Sequence, residues 1–122
     1  MHFQRAPKAE AKVVQCLAGR IFDVAVDLRP QSPTYCRWFG LELDPIRRNM
    51  LFIPEGFAHG FQTLADRAEV QYLMGDFYSP EHQAGVRWND PAFGIQWPLP
   101  LTTISPRDAG YADFVNHAGF PG

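Results

Sequence analysis

Five side chains along this sequence have the types that proton transfer requires. His2 can act as a base, Asp108 can orient it, Tyr72 can serve as an acid, Lys12 can hold developing negative charge, and His59 adds a further polar group. Such chemistry needs a base that titrates near neutrality, an acid across a cavity and a cation where negative charge develops. The sharpest local signal is Ile53-Pro54-Glu55-Gly56-Phe57-Ala58-His59-Gly60-Phe61, a Pro/Gly corner that delivers one histidine between apolar residues. Pro54 and Gly56 favour a tight turn and Gly60 admits a close backbone approach, which predicts that His59 sits at the mouth of whatever the flanking strands enclose.

A metal site is the competing use of such a corner, and it needs about three protein ligands of matched type. The partner cluster would be a His-x-His near His2, and Gln4 occupies its second position. Each residue also has an ordinary reading. Tyr72 can be a strand aromatic, Lys12 a solvated strand end, Asp108 a carboxylate bonded to the amides of its own helix, and His59 a turn histidine satisfied by backbone. Residue type and spacing leave these alternatives open.

The elements that must position these groups read as strands. His2-Phe3-Gln4 looks like the middle of a strand, in an otherwise polar, turn-like opening, and Ala11 to Leu17 forms a short one. From Ile21 to Arg29 the pattern alternates, with Phe22, Val24, Val26 and Leu28 on one face and Asp23, Ala25 and Asp27 on the other. Pro30-Gln31-Ser32-Pro33 turns the chain, and a strand is expected from Thr34 to Leu43, then others over Met50 to Ile53, Phe61 to Leu64 and Glu69 to Met74. Beyond Asp76 a loop-rich wrap carries apolar anchors at Trp88, Phe93 and Trp97. Ser105-Pro106-Arg107-Asp108 has the grammar of a helix start, and Gly110 keeps that helix short.

Length and composition agree with this reading. A chain of 122 residues fits one domain, and 11 prolines and 10 glycines spread along it suit many short strands joined by turns. With 11 basic and 13 acidic side chains there is no general field to gather nucleic acid or anionic lipid, so an anionic ligand must be held locally. No segment has the unbroken apolar length of a membrane span and the start lacks a signal-peptide core, which points to the cytoplasm. Cys16 and Cys36 have no Cys-x-x-Cys spacing and are expected as free thiols packed in strands.

Six segments in one order carry a resemblance over nearly the whole chain. They are His2-Phe3-Gln4; Ile21 to Arg29 with Ser32-Pro33-Thr34; Ile53 to Phe61; Tyr72 through Pro80-Glu81-His82; Trp88-Asn89-Asp90-Pro91; and Ser105-Pro106-Arg107-Asp108-Ala109. Together they resemble the dTDP-4-dehydrorhamnose 3,5-epimerases, cupin-fold enzymes of deoxysugar biosynthesis. The resemblance implies an all-β, cupin-type jelly-roll barrel with a short C-terminal helix, a single domain over residues 1–122 that is N-terminally shortened relative to the family. It implies an isomerase that works without metal or organic cofactor, inverting carbons 3 and/or 5 of a dTDP-4-keto-6-deoxysugar. His2 matches the base, Asp108 its paired carboxylate and Tyr72 the proton donor, while Lys12, His59, Arg107 and Tyr78 match substrate-binding positions, Tyr78 as the aromatic stacked on thymine. Gln83 stands where the family usually carries a glutamate that contacts substrate. A homodimer is implied as well. Which sugar is used, and whether one or two centres are inverted, stay open, and an impaired nucleotide-sugar-binding barrel or a single-centre epimerase or ketoisomerase are the alternatives.

Overall fold

The computed structural model describes residues 1–5, 9–75, 79–101, 103–112 and 114. Eight strands run through them: β1 (His2–Gln4), β2 (Lys12–Ala18), β3 (Ile21–Asp27), β4 (Trp38–Leu43), β5 (Met50–Ile53), β6 (Phe57–Thr63), β7 (Glu69–Met74) and β8 (Gln83–Gly85). A single short α-helix among the described residues, α1 (Pro106–Ala109), follows. All pairings are antiparallel, in a five-stranded sheet of order β4-β3-β6-β1-β8 and a three-stranded sheet of order β5-β2-β7. This is the expected jelly-roll barrel with its short helix. Ser105 caps α1 by accepting from the Asp108 amide, and Pro106 opens it, where a missing N–H leaves nothing unsatisfied.

The two sheets create two cores, and β3 serves both. Val24, Val26 and Leu28 pack with Met1, Phe3, Ala58, Val86 and Phe93, joined by Phe22, Trp38 and Trp97. Ile21 and Ala25 point the other way, to Val14, Cys16, Leu43 and Ile53 between the sheets. Each fully buried Val or Ile of this kind contributes about 1.5–3 kcal/mol. The alternation of β3 is therefore as expected, but its polar face does not meet water: Asp23 and Asp27 are 0% and 1% exposed. The wrap beyond β8 covers the outer face, with Trp97 Nε1 donating to the Trp88 carbonyl and Asp90 accepting from the amides of Ala92 and Phe114.

Three sequence expectations need correction. The strand expected from Thr34 begins at Trp38, because the chain first folds around the Asp27 carboxylate. That carboxylate accepts from the Arg29 amide and guanidinium and from the hydroxyls of Ser32 and Thr34, while the Cys36 amide donates to the Asp27 carbonyl. Cys36 accordingly lies in a turn with φ of 66°, not in a strand, although both cysteines are free thiols. His59 is not at the corner either. Gly56 takes the left-handed φ of 86° that the turn needs, and His59 lies within β6, directly opposite Ala25 and His2. Gly60 does admit a close approach: a Cβ there would come within 2.9 Å of Met1 Cγ.

Burial alone would raise the Asp27 pKa, but the hydrogen bonds from Arg29, Ser32 and Thr34 outweigh it and hold the carboxyl well below the usual carboxylate range. A depressed carboxylate stabilises the fold above its unfolded pKa of about 3.9 and loses that contribution as pH falls below it. Asp27→Ala is expected to lose about 2 kcal/mol at pH 7, since it removes the shared acceptor of the Arg29 amide, its guanidinium and two hydroxyls. Urea unfolding should show the gap to wild type narrowing below about pH 4; a gap independent of pH would reject this role.

Candidate functional site

Strand β1 is held between β6 and β8, with His2 in register with His59 on one side and Gly85 on the other. The three residues of β1 are too few to be stable alone. They are pinned because the Val86 amide donates to the Met1 carbonyl and the Arg5 amide to the His82 carbonyl, at 2.9 and 2.8 Å. His2 is thereby delivered to α1, where its Nε2 lies 2.6 Å from Asp108 Oδ1. The side chains are 42% and 28% exposed, so the pair stays reachable. Partial burial pushes the Asp108 pKa up, but the His2 hydrogen bond and charge, with the Ser105 hydroxyl, bring it below the ordinary value. An ionised carboxylate on one imidazole nitrogen orients the ring and supports the imidazolium that forms when the other nitrogen takes a proton. The edge of Tyr111 packs on the same imidazole, with ring centroids 6.3 Å apart.

Deeper in the barrel His59 is 6% exposed and hydrogen-bonded through Nε2 to Asp23 Oδ1. Tyr72 of β7 meets His59 edge-on, with ring centroids 5.7 Å apart. Burial, and then the negative charge of Asp23, push the Tyr72 phenol up to about 12. It therefore stays protonated, and able to donate, across the range in which a histidine base works. Lys12, at the start of β2, is 6% exposed and pairs with Glu10 Oε1 at 3.1 Å. It is not the solvated strand end of the ordinary reading.

His59 with Asp23 thus meets the neutral phenol of Tyr72, the His2–Asp108 pair lies on the neighbouring strand β1, and the buried ammonium of Lys12 lies at the start of β2. Arg107 is exposed on α1, on the same short helix as Asp108. Tyr78 lies outside the described residues. Gln83 occupies β8 opposite Gln4, whose side chain accepts from the Ser79 amide at 2.7 Å. Among the described residues no three His, Cys, Asp or Glu side chains come together as metal ligands. An apolar cleft of about 510 Å³, lined by Phe61, Trp88, Trp97, Leu99 and Leu101 among others, opens beside Asp108.

Reading the sequence missed Asp23 and Glu10, the partners of His59 and Lys12. A signal for Asp23 existed: it shares a face of β3 with Ala25, which lies opposite His59. Only the register across β3 and β6 turns that into a contact.

This arrangement can be set beside known proteins. The family model described as dTDP-4-dehydrorhamnose 3,5-epimerase matches residues 1–116. The chain is similar to the dTDP-4-dehydrorhamnose 3,5-epimerase of Salmonella typhimurium, 47% identical over 110 residues that cover 89% of this chain and 60% of that protein. It is also similar to the dTDP-4-dehydrorhamnose 3-epimerase of Streptomyces niveus, 43% identical over 108 residues, 88% of this chain and 52% of that one. Among solved structures, the dTDP-6-deoxy-D-glucose-3,5-epimerase of Legionella pneumophila in complex with dTDP-4-keto-L-rhamnose superposes with a TM-score of 0.84 at 41% identity, covering 88% of this chain and 57% of that one. The chain spans 60 to 64% of the length of the first three curated relatives it matches. No helix among the described residues is long and apolar enough to cross a membrane. With six ordered motifs, the barrel topology and a family match over residues 1–116 in agreement, the chain belongs to the dTDP-4-dehydrorhamnose 3,5-epimerase family.

Proposed function

We propose that this protein epimerises a dTDP-4-keto-6-deoxysugar at carbons 3 and/or 5 by removing and returning the proton beside the ketone. The observation that carries this reading is the His2–Asp108 hydrogen bond at 2.6 Å, at the same barrel that holds a protonated Tyr72 and a buried Lys12. His2 takes the proton alpha to the carbonyl, and Asp108 supports the resulting imidazolium. Lys12 meets the negative charge that develops on the ketone oxygen, and Tyr72 returns a proton from the other face. His59, held by Asp23, and Arg107 contact the substrate, and Tyr78 stacks on thymine. No metal or organic cofactor has a role in these steps. The Legionella relative, with dTDP-4-keto-L-rhamnose bound, supports the substrate class.

The direct test is deuterium wash-in: incubation with dTDP-4-keto-6-deoxyglucose in D₂O, followed by NMR of the protons at carbons 3 and 5. Exchange supports the enzyme reading. Its absence, with thymidine nucleotide still bound, would leave a binding barrel. The similarity to a 3-epimerase favours a second reading, inversion of one centre, and exchange confined to carbon 3 would select it.

The chain is further proposed to be a homodimer. On the outer face of the three-stranded sheet, Val13 lies in register with Phe52 and Leu73, which are 62% and 63% exposed, and Met50 and Leu17 extend the apolar row. A sheet face of this kind needs covering. Light scattering at micromolar concentration should give twice the chain mass, falling to the single mass in Phe52→Lys; a wild-type monomer would reject the dimer. Free thiols at Cys16 and Cys36 suit a reducing, cytoplasmic location.

A further inference from the structure

Glu10 is buried without an evident structural reason. It lies outside any strand, two residues before β2, yet its side chain is 7% exposed and its Oε1 pairs with Lys12 Nζ at 3.1 Å. Its other oxygen, Oε2, has no hydrogen-bond partner among the described residues. Lys12 is held just as firmly in the backbone, in register with Ile53 on one side and Met74 on the other, while the Gly75 amide donates to the Ala11 carbonyl at 2.7 Å between the two charged residues.

Stability does not account for such a pair. Desolvating two charges offsets most of their attraction, and a well-packed apolar pair is often as stable. An orphaned carboxylate oxygen makes the balance less favourable still. What the pair does achieve is to keep a flexible four-carbon side chain in one place inside the barrel. An ammonium on a free lysine stem has many rotamers to lose, whereas a counter-charge two residues away holds it in a single direction.

We propose that Glu10 is the positioning residue for Lys12, aiming its ammonium at the point where negative charge develops on the substrate. The proposal rests on the reading of Lys12 as the cation that meets the enolate oxygen. Preorganised charge is effective because no reorganisation is needed at the moment of reaction. Since the oxyanion exists only after proton removal, Glu10 acts on the transition state more than on the bound substrate. Loss of Glu10 therefore lowers kcat and leaves KM nearly unchanged.

The test uses deuterium wash-in across substrate concentrations for wild type, Glu10→Gln, Glu10→Asp, Lys12→Ala and the Glu10→Gln/Lys12→Ala double variant. Glu10→Gln is expected to lower kcat about 10- to 100-fold, the scale of a displaced catalytic group, with KM within about threefold. Glu10→Asp should recover part of the loss. In the Lys12→Ala background Glu10→Gln should have no further effect, because a residue that acts through another is silent once that partner is gone. Additive losses, or a wild-type kcat in Glu10→Gln, would overturn the proposal while leaving the epimerase reading intact. Absence of exchange in wild type rejects that reading instead, and exchange unaffected in Lys12→Ala removes Lys12 as the cation and overturns the proposal with it. A measurement independent of turnover is NMR of the lysine ammonium groups. The Lys12 ammonium should give a distinct, slowly exchanging signal in wild type that broadens in Glu10→Gln; an equally sharp signal in the variant overturns the positioning role.

Discussion

His2→Ala should abolish deuterium wash-in at both carbons beside the ketone, with a loss of about 10³- to 10⁴-fold, while thymidine nucleotide still binds. The size follows from what the substitution removes. A positioned general base contributes about 10²- to 10⁴-fold, and here it takes with it the ion pair that supports the imidazolium. Asp108 cannot substitute, because a carboxylate is a much weaker base than an imidazole. The fold should tolerate the change. His2 is 42% exposed, and β1 is pinned by backbone bonds on either side of it and by Phe3, which is 5% exposed. NMR in D₂O gives the rate, and titration with thymidine diphosphate gives the binding control. Exchange at the wild-type rate in His2→Ala would remove His2 from the mechanism.

Tyr72→Phe should separate two events that His2→Ala abolishes together. Proton removal depends on the histidine side of the site and should continue within about tenfold of wild type, so wash-in persists. Return of the proton from the opposite face needs the phenol, and inversion of configuration should fall by about 10²- to 10³-fold. Because burial and the Asp23 charge keep the phenol protonated up to about 12, wild type should show no loss of inversion from Tyr72 ionisation below about pH 11. Product stereochemistry, read by NMR coupling constants beside the wash-in signal, distinguishes the two events. Equal losses of wash-in and inversion would mean that Tyr72 acts in binding or positioning and not as the proton donor.

Much of the architecture was legible because local chemistry and global fold agree. The alternation from Ile21, the Pro/Gly turns and the capping serine at Ser105 each mark an element that the fold contains. The misreadings share one cause. The aromatic pattern from Tyr35 favours strand from Thr34 onward, but Asp27 gathers Arg29, Ser32 and Thr34 into a turn first. The turn residues before His59 favour a place at the corner, whereas pairing with β1 and β3 draws it into the sheet. In both places interactions beyond the local pattern decided the outcome.

Residue order and period were enough to read the family, most of the strands and which residue types were available for proton transfer. These are properties of order and period along one chain. The partners of those residues were decided by the tertiary structure alone. His2 and Asp108 are 106 positions apart and His59 and Asp23 are 36 apart, so only the placement of α1 beside β1 and the register of β3 on β6 bring them within hydrogen-bond reach. A period of two tells which side chains share a face, and it put Asp23 and Asp27 together. It does not tell whether that face meets water or a second sheet, and on that difference depends whether a carboxylate is merely solvated or holds a histidine in place.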